Sequence, residues 1–566
     1  MVETTCPESI ADTARFRNDV RSVIDMTDTN YNLVETSEIL LTSEKGDRLA
    51  TKNNVGFIDG KASENVIQVR PEIVKQTLHG IGTSFTEASA FVLAHLHKDK
   101  RREVMDSIYG EHGANFSLAR TVIGATDFSV EGKFSYDDVE DDKALAHFSV
   151  AADSDGFCKK KYSGIQDAEF DLLPMIKQAL EIKSRQKNSE LKIIASAWSA
   201  PAWMKDIEDW YLTPGEENNY QGTGGTLKKG YQTVYANYLL EYLEQYQKQG
   251  VKIWGITPVN EPYGNNGQWE SMHFSAHSQN EFIKHHLGPA LFASHHADVN
   301  LLIYDHNRAG LEQFAQVLYN DSETARYING AAVHWYDSTF KVYEDVLERV
   351  HDAFPQYEVI HTEGTVDDLG KDAPPGVTDP VRFKESGWFD NDAFWWNDNA
   401  TDWAYSATWA GVNAEDHPAY APVHRYARDI IVCLNHWVSG WIDWNIVLDK
   451  NGGPNHVGNF CGAPIMIDTA TGSVYYTPVF YILSQFSRTI RPGDIAVQVN
   501  TSQEWFGNDA IHASASLNHE GMLSIQVLNT TRTPVDYQLQ IGEQYAAISI
   551  EANALQTVRV RLDRQT

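Results

Sequence analysis

From about residue 77 to about residue 490, short apolar runs alternate with longer segments whose apolar positions recur every three or four residues. The short runs are HGIGTSF (79–85), ANFSLARTVIG (114–124), LKIIASAWSA (191–200), VKIWGITPVNEP (251–262), VNLLIYDHN (299–307), INGAAVHWY (328–336), YEVIHTEG (357–364) and VSGWIDWNI (438–446). Their apolar, β-branched character reads as buried parallel strands. Between them lie amphipathic helical patterns such as EASAFVLAHLHKDKRREVMDSIY (87–109), FDLLPMIKQALEIKSR (170–185), YQTVYANYLLEYLEQYQKQG (231–250) and FKVYEDVLERVHDAF (340–354). Strand–helix alternation predicts a parallel sheet with right-handed crossovers. Eight such units predict an α/β fold, a (β/α)8 TIM barrel over residues 77–490, with a doubly wound open sheet as the alternative.

Past residue 491 the helical pattern stops. IAVQVN, AIHASASLN, MLSIQVLNTT, VDYQLQIG, AAISIEA and TVRVRL alternate polar and apolar positions at regular spacing, the pattern of an antiparallel β-sandwich. Residues 31–76 show the same alternation, with turns at Lys45-Gly46 and Asp59-Gly60. They are expected to join 491–566 in a side domain built from both termini, packed closely on the barrel. Residues 1–30 read as an N-terminal arm with a short polar helix. The longest connection, 365–422, carries Trp388, Trp395, Trp396, Trp403 and Trp409 and is expected to wall a site at the strand ends.

Two of the strands end in a carboxylate: VKIWGITPVNEP in Glu261 and YEVIHTEG in Glu363. A TIM barrel builds its site from the C-terminal ends of its strands. Two carboxyls facing one another there are the equipment of glycoside hydrolysis, one protonating the leaving oxygen and the other attacking the anomeric carbon. Asn260, just before Glu261, is placed to hydrogen-bond a sugar 2-hydroxyl. The pattern predicts a retaining β-glycosidase acting on a β-linked saccharide or glycoside.

Composition narrows the partners. Net charge is −31, from 46 basic and 77 acidic residues, which argues against nucleic acid and anionic membrane. No apolar run approaches the length of a membrane span, and no leader peptide is evident, so the expected compartment is the cytoplasm unless a leader was removed. The four cysteines, Cys6, Cys158, Cys433 and Cys461, have neither zinc-ligand nor disulfide-framework spacing. The composition is silent on oligomeric state.

The stretches HGIGTSFTEASA, SLARTVIGATDFS, SAWSAPAWMK, WGITPVNEP, QNEFIKHHLGPAL, LLIYDHNR, GAAVHWY, HTEG, GWIDWN and NGGPNHVGNF resemble, in order, the glucosylceramidase-like glycoside hydrolases of family 30, retaining enzymes of clan A. The resemblance implies a (β/α)8 barrel with a side β-sandwich, and β-glucosidase or glucosylceramidase activity, which the long Trp-rich loop is expected to make exo-acting by narrowing the cleft; β-xylosidase, β-fucosidase and β-1,6-glucanase are the alternatives within the family. It implies Glu261 as acid/base and Glu363 as nucleophile. It further implies Asn260 at the 2-hydroxyl, Arg120 beside the carboxylates, Trp198 and Trp444 on the glycone, and His334, Tyr336 and Asn459 in the pocket. Trp335, inside the same triplet, reads equally as core. One departure stands out: where glucosylceramidases carry a sugar-binding Asp after a GGAMT-like motif, this chain has Glu87. Its extra methylene would carry the carboxylate about 1.5 Å further into the pocket.

Other signals are weaker. Gly80-x-Gly82 lacks the third Gly and the Lys of a phosphate loop. His285-His286 and His295-His296 read as solvated faces, and the acidic run 137–142 lacks calcium-loop spacing. No strand-end His/Asp cluster points to a metal-dependent hydrolase, so no metal and no cofactor is expected. A non-catalytic carbohydrate-binding barrel is the remaining rival, and the presence of both Glu261 and Glu363 weighs against it.

Overall fold

The computed structural model describes residues 31–187, 189–212, 224–263, 267–338, 341–366, 422–502 and 510–562. The arm at 1–30 lies outside them, as does most of the Trp-rich connection with its five tryptophans. Within them, eight parallel strands close into a barrel: β1 (Gly80–Phe85), β2 (Leu118–Ile123), β3 (Lys192–Ala197), β4 (Gly255–Thr257), β5 (Asn300–Asn307), β6 (Gly330–His334), β7 (Glu358–Glu363) and β8 (Val438–Asn445). Each lies in one of the eight apolar runs, and β8 pairs with β1 to complete the ring. The alternative of an open sheet is excluded.

Inside the barrel, Leu118, Ile194, Leu302, Ala332, Ile360 and Ile442 form one buried apolar layer, with Trp254 packed against it. Side chains alternate faces along a strand. Two positions further toward the strand ends, the same inward face therefore presents Arg120, Ser196, His334, Thr362 and Trp444. Strand periodicity thus stacks a polar layer on an apolar one.

Four of the barrel's strand pairings carry a register shift, and two of these shape the site. Ala332 pairs with Tyr304 but Val333 with His306, so Asp305 is the extra residue of β5. Val333 pairs with His361 but His334 with Glu363, so Thr362 is the extra residue of β7. Tyr304 and Asp305 carry φ of 74° and 65°, a conformation that costs energy for residues with a Cβ and recurs at functional sites.

The segment read as one helix over 87–109 divides into Glu87–Ala94 and Lys98–Tyr109. At the break His95 turns its Nδ1 to the Phe91 carbonyl, 2.8 Å away. Thr86 caps the first of these helices by accepting from the Ser89 N–H. The Thr86 hydroxyl also donates to Asn445 at 2.8 Å, which ties the cap to the end of β8. No described helix is long and apolar enough to cross a membrane.

The side domain is a ten-stranded sheet drawing on both chain ends. Strands Glu38–Ser43 and Val66–Thr77 lie among the six strands between Ile495 and Arg561. Ile67, Val69, Ile525, Val527 and Leu539 belong to its separate core. The sheet is antiparallel except where Val66–Thr77 runs parallel to Val535–Ile541. Buried Gln485, on helix Pro478–Thr489, accepts from Thr42 and donates to the Leu555 carbonyl and the Thr557 hydroxyl, joining barrel to sheet.

Gly82 belongs to β1 rather than to any phosphate loop, and a Cβ there would fall 1.5 Å from the Leu118 carbonyl oxygen of β2. Gly82→Ala is expected to destabilise the barrel by about 3 kcal/mol and to lower its calorimetric melting temperature by roughly 5 °C or more. An unchanged melting temperature would mean that β1 and β2 do not approach this closely.

Candidate active site

Arg120, fully buried at mid-β2, organises the strand ends. Its Nη1 donates to Glu363, its Nη2 to Asn260 Oδ1 (2.6 Å) and Asp305 Oδ2 (2.8 Å), and its Nε to Ser196 Oγ (3.2 Å). Asp305 Oδ2 also accepts from Ser196 and Thr257, each at 2.8 Å, and its Oδ1 accepts from Thr362 at 2.8 Å. His334 stands between carboxylates, with Nε2 2.9 Å from Asp305 Oδ1 and Nδ1 3.2 Å from Glu261 Oε1. The Tyr336 hydroxyl donates to Glu363 Oε1 at 3.0 Å. Residues from six strand ends thus share one network.

Glu261 sits just past β4 in the left-handed region, with φ 46°. That conformation is held because its N–H donates to the Asp305 carbonyl at 2.9 Å, while the Asn260 N–H donates to Ala197 at 2.7 Å. Trp198 and Trp444 stack with centroids 5.0 Å apart, and the Arg120 guanidinium lies 4.8 Å from Trp198 and 5.6 Å from Trp444. Both tryptophans are buried.

The charges are strongly interdependent. Burial alone would lift Asp305, but Arg120 and His334 hold it well below the usual carboxylate range. Burial would lower His334, yet Glu363, Asp305 and Glu261 raise it to about 9, so it is an imidazolium at neutral pH. Burial lifts Glu363, with Glu261 adding to the rise and His334 and Arg120 opposing it. Glu261 lies below its ordinary value, because His306, His334 and Arg120 outweigh burial. The guanidinium and the phenol on Glu363 favour its anion, and the His334 imidazolium favours that of Glu261.

Asn459 lies beside this centre and donates to Asp127 Oδ2 at 3.0 Å. Burial raises Asp127 to about 7, and the nearby Glu363 charge contributes to the rise. Next to it, His456 pairs with the buried Glu270 at 3.1 Å.

The structure therefore unites Glu261, Glu363, Arg120, Asn260, His334, Tyr336, Trp198, Trp444 and Asn459. Glu87 does not join them. Its carboxylate accepts from the Val130 N–H at 2.9 Å and from Ser129, and burial pushes it up to about 8. It thus supports the loop that carries Asp127, because the helix starting at Glu87 aims its first side chain at residues 129–130. Trp335 packs among Trp441, Tyr426 and Arg425, which is the core reading. The expectation of no strand-end His/Asp cluster is also overturned. Asp305, His306 and His334 gather at the ends of β5 and β6 beside Glu261, which the β5 bulge makes possible. Asp305 and Asp127 were not singled out in the sequence, although both lie inside stretches that carried the family resemblance.

A (β/α)8 barrel with a carboxylate after β4, another ending β7, and a buried cation between them has the architecture of a glycoside hydrolase. The sequence model of the glycosyl hydrolase family 30 TIM-barrel domain matches residues 78–379 and 400–490, and that of the family 30 beta sandwich domain matches 495–558. The chain belongs to glycoside hydrolase family 30. It is 30% identical over 472 residues to putative glucosylceramidase 2 of Caenorhabditis elegans, covering 83% of this chain and 77% of that one. It is 26% identical over 471 residues to endo-1,6-beta-D-glucanase neg1 of Aspergillus fumigatus, covering 81% and 79%. Among solved structures, SrfJ from Salmonella typhimurium matches with TM-score 0.74 and 22% identity over 94% of this chain and all of that one.

Two measurements follow from this geometry. Asp127→Ala is expected to lower kcat/KM on an accepted glycoside roughly 100-fold, and Glu87→Gln to change it only a few-fold; the reverse ranking would return Glu87 to the pocket. The second is a pH window. Asp305 is depressed, so its contribution to stability is complete above about pH 4 and is lost as the pH falls toward its folded value. His334 is raised, so its contribution is complete below about pH 6.5 and is lost as the pH rises through about 9. Melting temperature in wild type is expected to decline across the upper range, and His334→Gln to flatten that decline. An equal slope in both proteins would remove the imidazolium as its source.

Proposed function

We propose that the enzyme is a retaining, exo-acting β-glycosidase of β-glucosidase or glucosylceramidase type, with Glu363 as nucleophile and Glu261 as acid/base. The observation that carries the reading is the single network in which Arg120 donates to Glu363, Asn260 and Asp305 while His334 contacts Glu261. Glu363, favoured as the anion by Arg120 and Tyr336, attacks the anomeric carbon as Glu261 protonates the departing oxygen. The resulting glycosyl-enzyme is opened by water that Glu261 deprotonates. Asn260 accepts from Arg120 through Oδ1, which leaves its amide N–H groups for the sugar 2-hydroxyl. Asp127, buried, and Asn459, half-buried, form a polar pair suited to two further hydroxyls.

The fungal relative's name, an endo-1,6-glucanase, supports a second reading in which the substrate is a β-1,6-linked glucan. A panel of p-nitrophenyl β-glucoside, xyloside, fucoside and galactoside, run beside gentiobiose and a β-1,6-glucan, separates these. Fastest turnover of the glucoside is expected; exclusive cleavage inside the glucan would favour the second reading, and silence throughout would point to a binding protein.

Glu363→Gln and Glu261→Gln are each expected to lose roughly 1,000-fold or more in activity. Azide should rescue Glu363→Ala to a glycosyl azide of inverted anomeric configuration, and Glu261→Ala to one of retained configuration. Rescue in the opposite pattern would exchange the two roles.

A further inference from the structure

Glu261 faces two imidazoles. His334 Nδ1 lies 3.2 Å and His306 Nδ1 3.8 Å from the same oxygen, Oε1. One ligand atom from each of the three residues lies within 4.8 Å of the other two. His306 Nδ1 is buried and makes no hydrogen bond within the described structure. An orphaned ring nitrogen is costly unless something fills the space before it. The opposite nitrogen of His334 is held by Asp305, which is fixed in turn by Thr362, Thr257, Ser196 and Arg120. A carboxylate gripping the far nitrogen of a histidine is the arrangement that orients imidazoles on metal ions.

We propose that Glu261, His306 and His334 form a binding site for a borderline divalent transition metal, Zn2+ foremost, and that the occupied site is catalytically silent. Bonds of about 2.0–2.1 Å in a tetrahedral site set ligand atoms roughly 3.3 Å apart. The separations at Glu261 Oε1, 3.2 and 3.8 Å, bracket that value, and side-chain rotation would bring the two imidazoles, within 4.8 Å of each other, onto the same ion. Two nitrogens and one carboxylate oxygen suit zinc, copper or nickel and disfavour magnesium and calcium, which prefer all-oxygen shells. The fourth position stays open to water. As the metal–nitrogen bond forms, the hydrogen on His334 Nδ1 is released to solvent, and the ion takes over the Glu261 oxygen it had faced. Loss of activity rests on the proposed role of Glu261 as acid/base, whereas binding does not.

Calorimetric titration of the full chain with ZnCl2 is the test, with MgCl2 as control and the visible bands of tetrahedral Co2+ as a second readout. Wild type is expected to show one tight Zn2+ site, no Mg2+ heat, and inhibition reversed by EDTA. His306→Gln should weaken that site at least about 10-fold and abolish the cobalt bands. Glu261→Gln, nearly isosteric, should do the same and serves if the first variant folds poorly. Zinc affinity unchanged in both folded variants, or no tight site in wild type, would overturn the proposal. A site lost in both variants whose filling leaves wild-type turnover intact would uphold the metal site and remove Glu261 from the reaction.

Discussion

A guanidinium with no solvent exposure has to be neutralised where it lies, and the centre of this barrel is arranged around that constraint. Arg120 meets Asp305 and Glu363 inside the barrel. Removing a charged pair from water costs several kcal/mol per ion even after relaxation, so such a cation persists only with good geometry and saturated donors. Its donors meet four side chains: Glu363, Asn260, Asp305 and Ser196. The same contacts aim the proposed nucleophile and orient the asparagine next to the proposed acid/base. Charge compensation and positioning are one interaction here.

A second buried ion pair stands behind the first. Arg308, just past β5, holds Asp429 through two bonds of 2.7 Å and also meets His361 of β7 at 2.9 Å. Asp429 accepts from Trp441 of β8 as well. His361 points away from the barrel interior and Thr362 toward Asp305, so β7 is anchored on both faces immediately before Glu363. A strand gripped in this way holds its terminal carboxylate with little freedom, which is what catalysis through positioning requires.

The bulges show how a regular fold acquires irregular chemistry. Strict alternation on β5 would send Tyr304 inward after Leu302. The extra residue sends Asp305 there instead, and His306 emerges beside Glu261. The shift costs two residues in left-handed backbone and supplies a carboxylate that contacts both Arg120 and His334. The orphaned nitrogen of His306 is a consequence of the same bulge.

Local pattern was enough to place all eight barrel strands, the six terminal strands of the side domain, and the two strand-end glutamates. Periodicity of two or 3.6 is a property of neighbouring residues, and a carboxylate closing an apolar run is visible in one dimension. Arg120, His334 and Trp444 were legible only through the family resemblance; the structure adds that they continue an inward-facing phase set by Leu118, Ala332 and Ile442. Asp305 was not, because a bulge is decided by pairing with β6, and nothing in IYDHN marks which residue is extra. Asp127 was missed and Glu87 misplaced for a related reason: both belong to loop and helix-start geometry after β1 and β2, where direction depends on what packs above. The sequence by itself determined which strands form and which two carboxylates end them, because those depend on local alternation; only the tertiary structure decided which polar side chains meet, because that depends on register between strands far apart in the chain.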